Sequence, residues 1–153
     1  MTDFTPLIDR LKKATRPDRE LDAIIHCVTT YGAYPVYEGE KLVFRGGEGQ
    51  PKNWWLGSMK PIIGFIPAES TPPLPAYTAS IDATLELAKR LLPGWSKSMT
   101  QNVHHGYWTC SFYKCDYDQI TSFAASNDSD PAIVLLTAMF RALQAQETDN
   151  AAS

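Results

Sequence analysis

The side chains best suited to chemistry fall in two clusters, one before the middle of the chain and one in its last third. The first is the pair Trp54-Trp55, flanked by Lys52 and Lys60, with Arg45 upstream. Adjacent indoles in a polar stretch are costly to leave in water, so they either anchor a loop onto a core or form a binding surface. As an aromatic platform they would stack on a flat ring while the lysines neutralise a phosphate or carboxylate. Arg45 adds a guanidinium that can grip the same anion through a forked contact. The glycine-rich Gly46-Gly47-Glu48-Gly49-Gln50-Pro51-Lys52 lacks the Gly-Lys-Ser/Thr step into a helix, so it reads as a turn and not as a phosphate loop.

The second cluster is His104-His105, followed by Tyr107, Cys110 and Cys115. Neighbouring residues on an extended chain point in opposite directions, and the cysteine spacing fits no zinc pattern, so no metal site is expected. An imidazole titrates near neutrality and can serve as a general base. A hydrolase built from His104 or His105 with Asp116 or Asp118 is therefore one reading, although no catalytic residues or cofactor are expected on the leading one. Strand alternation places Trp108, Cys110 and Phe112 on one face and Tyr107, Thr109, Ser111 and Tyr113 on the other. The first set reads as core. The second is a polar, aromatic face suited to solvent, a subunit interface or a pocket wall.

Composition narrows the partners. A net charge of −3 disfavours binding to an extended nucleic-acid backbone. The charge is uneven, however: residues 41 to 60 carry a local +3 and residues 116 to 153 a local −5. Such an asymmetry suits a small anionic ligand or self-association as a homo-oligomer. No apolar run approaches the length that spans a bilayer, and the first residues, Met-Thr-Asp-Phe-Thr-Pro, lack the pattern of a signal peptide, so a cytosolic location without membrane partners is expected. Three cysteines cannot all pair internally and read as buried thiols.

The elements that must position these residues can be read from periodicity. Residues 5 to 14 form a helix with Leu7, Ile8, Leu11 and Ala14 on one face. Thr15-Arg16-Pro17-Asp18 stops it and opens a second, with Thr15 and Asp18 as a capping box and Pro17 in the first turn. The second helix carries Leu21, Ile24, Ile25 and Val28 and ends at Tyr31-Gly32. Val36-Tyr37 and Lys41 to Phe44 make a short hairpin, and Gly46 to Tyr77 is expected to be a long irregular stretch. Ser80 caps a third helix with an apolar row at Ile81, Leu85, Ala88, Leu91 and Leu92. Residues 95 to 100 and 106 to 115 are antiparallel strands around a turn at 102 to 105, and 120 to 125 add another. Asp130 and Pro131 start a final helix that is apolar nearly all round.

Two segments also carry a resemblance. One is Leu7 to His26, with Leu-Ile-Asp-Arg-Leu, the break at Pro17, and Arg-Glu-Leu-Asp-Ala-Ile-Ile-His; the other is Tyr77-Thr78-Ala79-Ser80-Ile81-Asp82-Ala83. Together they resemble the phage ABA sandwich domain, a small bacteriophage family. The resemblance implies a layered helix, sheet, helix fold and a place of action in the host cytoplasm, and it implies no activity. The expectation is an α+β chain, an α/β/α layered sandwich with a mainly antiparallel sheet. One domain should span 1 to 153, with an ordered core over 5 to 146 and a frayed tail over 147 to 153. The leading functional expectation is a non-catalytic accessory protein that sequesters a small nucleotide-like ligand. Trp54 or Trp55 would stack the base, Arg45, Lys52 and Lys60 would hold charge, and Tyr77, His104, His105 and Tyr107 would line the site. A protein–protein inhibitor of a host factor, using the same aromatic surface, is the first alternative.

Overall fold

The final helix sets the plan, because from Ala132 to Leu143 it leaves only Arg141 to water. The computed structural model describes residues 2–39, 41–44, 54–56, 74–116, 119–127 and 130–153. In chain order these form α1 (Thr5–Lys13), α2 (Arg19–Tyr31), β1 (Val36–Glu38), β2 (Lys41–Phe44), β3 (Trp54–Leu56), α3 (Ile81–Leu91), β4 (Ser96–Asn102), β5 (Tyr107–Asp116), β6 (Gln119–Asn127) and α4 (Pro131–Ala152). The class is α+β, and every strand pairing is antiparallel. The strands divide between two three-stranded sheets, ordered β1-β2-β3 and β4-β5-β6. The chain likewise divides into two compact units, one holding Asp3–Pro17 with Tyr77–Ser153, the other holding Asp18–Ala76.

The first unit is built around α4. Asp130 caps it by accepting a hydrogen bond from the Ala132 N–H at 2.9 Å, and Pro131 occupies the first turn, where a missing donor costs nothing. From Ala132 to Leu143 every residue except Arg141 is buried. The one buried hydroxyl, on Thr137, donates to the Ile133 carbonyl at 2.8 Å and is thereby satisfied. β5, β6, α1 and α3 all pack on this helix. Phe4 ties α1 to it twice: its ring lies 5.4 Å from that of Phe140, and its N–H donates to Gln144 Oε1 at 2.7 Å. That second bond supplies a partner for a backbone donor just ahead of α1. α4 continues to Ala152, with its last residues exposed.

α3 begins at Ser80, whose Oγ accepts from the Ala83 N–H at 3.2 Å, as its sequence position implies. Its inward face differs from the apolar row. Thr84, Leu87, Ala88 and Leu92 are buried, whereas Ile81, Leu85 and Leu91 are only half-buried. Thr84 can go inside because its hydroxyl donates to the carbonyls of Tyr77 and Ser80, at 3.0 and 3.2 Å. A pattern that scores residue type alone passes over such a satisfied threonine.

The second unit opens with α2, capped by Asp18, which accepts from the Glu20 and Leu21 N–H groups at 2.9 and 3.3 Å. Thr15 is not part of this cap, and Pro17 precedes it; a single aspartate satisfies both donors without a partner three residues back. Gly32 closes the helix in the left-handed conformation, φ 68°, with its N–H on the Val28 carbonyl. Asp22 is wholly buried. Arg19 Nη1 reaches its Oδ2 at 2.8 Å, and the same guanidinium donates to the carbonyls of Leu74 and Pro75 at 2.7 and 3.2 Å. One arginine thus clamps the segment at 74–75 to the first turn of α2.

β3 falls within the stretch expected to be irregular. Trp54 pairs with Phe44 and Trp55 with Val43, so the tryptophans occupy a strand and not a loop. Pairing to a distant segment decides that outcome, and local glycine and proline content does not record it.

Removing the Arg19 guanidinium leaves the buried Asp22 carboxylate without its closest cation. Breaking a fully buried ion pair costs about 3–5 kcal/mol. Arg19 is a third exposed, so Arg19→Ala is expected to lower unfolding stability by about 2 kcal/mol, read from urea denaturation. The double variant Arg19→Ala/Asp22→Asn should recover part of that loss.

Candidate functional site

The β4–β5 hairpin brings the second cluster together. Register runs without interruption from Ser96 opposite Tyr113 to Asn102 opposite Tyr107, so Thr100 and Asn102 share a face with Tyr107 and Thr109. The opposite face of β5 holds Cys110 and Phe112, both buried, while Tyr107, Thr109, Ser111 and Tyr113 are half-exposed. This is the alternation read from sequence except at Trp108, which was expected in the core and is half-exposed, next to the turn of the hairpin. Burial pushes the Cys27 and Cys110 thiols up to about 12, so both stay protonated at neutral pH and act as small apolar fillers.

Asn102 organises the hairpin end. Its Oδ1 accepts from the N–H groups of His104 and His105, each at 3.1 Å, and its Nδ2 donates to the Tyr107 hydroxyl at 3.3 Å. Its carbonyl accepts from the Gly106 N–H at 2.8 Å. Gly106 returns the chain to β5 at φ 71°, a conformation that side-chain-bearing residues rarely adopt. Fixed in this way, His105 stacks on Tyr107 with ring centroids 6.1 Å apart and planes 14° from parallel. Beside the stack lies an open depression of about 470 Å³, lined by Thr100, Gln101, Asn102, Val103, His104, Tyr107 and Thr109. Val103 stands 78% exposed at its rim.

Among the described residues the lining is hydroxyl, amide, imidazole, phenol and the Val103 side chain, with no carboxylate and no lysine or arginine. It can donate and accept hydrogen bonds and offer ring faces. It does not assemble a proton relay with Asp116. That residue ends β5, nine positions from Tyr107, or about 30 Å at the rise of an antiparallel strand. Cys115 sits at the same far end, paired with Ile120, so the histidines and the two cysteines of this region are not brought to one point. Among the described residues no three His, Cys, Asp or Glu side chains gather as a metal would require.

The other expected residues are placed differently. Tyr77 is 5% exposed, a core side chain in the turn ahead of α3, and not part of the depression. Trp54 and Trp55 lie on β3 in the other unit. Arg45, Lys52, Lys60 and Asp118 lie outside the described residues, as does the glycine-rich turn at 46–52. The residue the sequence reading passed over is Asn102, counted only as part of a turn. Its signal was available: an Asx residue at the start of a turn with glycine four positions on. No family model, curated protein or solved structure matches this chain.

Asn102→Ala removes three side-chain hydrogen bonds at the hairpin end while leaving the strands paired. A stability loss of about 1 kcal/mol is expected, because the site is half-exposed and water replaces part of what is lost. The more telling readout is the pair of histidine ring signals in NMR spectra, which should lose their dispersion as the turn loosens.

Proposed function

We propose that this is a bacteriophage accessory binding protein without catalytic activity, acting in the host cytoplasm to sequester a small, anionic, nucleotide-like signalling ligand and so counter host defence. The observation that carries the reading is the hairpin end, where a rigid turn presents a stacked imidazole and phenol beside neutral hydrogen-bonding groups. A nucleobase needs a ring face to stack on and a mixture of donors and acceptors along its edge. The depression supplies both, and it has no carboxylate to repel a phosphate. The excess of cationic residues between 41 and 60 supports an anion as the cargo. The viral source rests on the resemblance at Leu7 to His26 and Tyr77 to Ala83.

The test is a thermal-shift panel of mononucleotides and cyclic nucleotides on the whole chain, followed by mass spectrometry of ligand released on denaturation. The expected result is a shift with at least one nucleotide and its recovery unchanged. Base stacking on an aromatic side chain contributes about 1–3 kcal/mol, so Tyr107→Ala should weaken binding by about tenfold or more. His105→Ala should weaken it as well. Absence of any shift overturns the reading, and recovery of a chemically altered nucleotide replaces it with an enzyme.

A further inference from the structure

We propose that the free edge of β4 is the seam of a symmetric homodimer, in which β4 of one copy pairs antiparallel with β4 of a second copy about an axis at Met99. The proposal stands independently of what the hairpin end binds.

In the order β4-β5-β6, β4 has a neighbour on one side only among the described residues. Six of its seven residues are exposed, and α4 packs on β5 and β6. Soluble proteins blunt such an edge with proline, bulges, several charges or a short strand. β4 uses none of these. Its sequence, Ser-Lys-Ser-Met-Thr-Gln-Asn, has no proline or glycine and one charge, and its register with β5 runs through all seven positions without a bulge. Its backbone is therefore a straight, unguarded row of donors and acceptors.

The sequence of the strand says which occupant fits. With Met99 opposite Met99 of the second copy, Ser98 meets Thr100, Lys97 meets Gln101 and Ser96 meets Asn102. The lone positive charge faces a neutral amide, and hydroxyl faces hydroxyl, a favourable cross-strand pair. A four-residue change of register, which centres the pairing on Lys97, would instead set like charges face to face. Met99, 36% exposed at the midpoint, is then covered by its own copy. Symmetry of this kind gives an isologous interface, the commonest arrangement of soluble dimers. The pairing also sets Ser96 of the second copy beside Asn102, so the partner adds a hydroxyl at the margin of the hairpin-end depression.

Sedimentation equilibrium of the whole chain across micromolar concentrations tests this. The expected mass is twice the 17.0 kDa of the monomer. Met99→Lys should abolish the dimer and leave the circular dichroism spectrum unchanged. Met99→Cys should cross-link to a covalent dimer under mild oxidation, whereas Lys97→Cys, facing Gln101, should not. A monomer at every concentration overturns the proposal, as does a dimer that persists in Met99→Lys. Cross-linking through Lys97→Cys with none through Met99→Cys also overturns it.

Discussion

α4 must be covered on every side, and the first unit is the answer to that requirement. A helix with one apolar stripe needs one neighbour, but Ile133, Leu135, Leu136, Met139 and Phe140 point in different directions and all are fully buried. Burying each such side chain contributes about 1.5–3 kcal/mol towards offsetting the ordering of the segments that do the covering. β5 and β6 supply one cover, and α1 and α3 supply others. The long-range bond from the Phe4 N–H to Gln144 shows how far the chain is gathered: residues 140 positions apart meet on this helix. Because the buried face of β5 is committed to this core, its other face is free to carry polar and aromatic groups.

The second unit relies on a different device. α2 buries six apolar residues together with one aspartate, and Arg19 supplies that carboxylate with an ion-pair partner. The guanidinium then spends its remaining donors on the carbonyls of Leu74 and Pro75, so a charged pair sets where the chain leaves the unit. Apolar residues of similar size would hold α2 as well, but they would not fix two backbone carbonyls with defined geometry.

Features decided within a few residues were legible in the sequence. Ser80 and Asp130 cap helices because their side chains reach the next turn, Gly32 sits where a positive φ is required, and β5 alternates because strands do. What escaped depended on particular polar partners and strand pairings that a pattern of residue types does not record. Trp54 and Trp55 became a strand by pairing with β2, and Asp22 is buried with the half-exposed Arg19, three residues before it, as an ion-pair partner. Thr84 displaced part of an apolar row because backbone carbonyls took its proton. At the candidate site, His104, His105 and Tyr107 were legible as neighbours in a hairpin. The role of Asn102 and the distance of Asp116 followed only from the register.

α4 is the stable centre on which a presented hairpin rests, and native-state hydrogen exchange measures that directly. Amides from 132 to 143 should exchange only through global unfolding, with protection equal to the full stability of the protein, while those from 146 to 152 on the same helix exchange far faster. Equal exchange rates along the whole of α4 would contradict it.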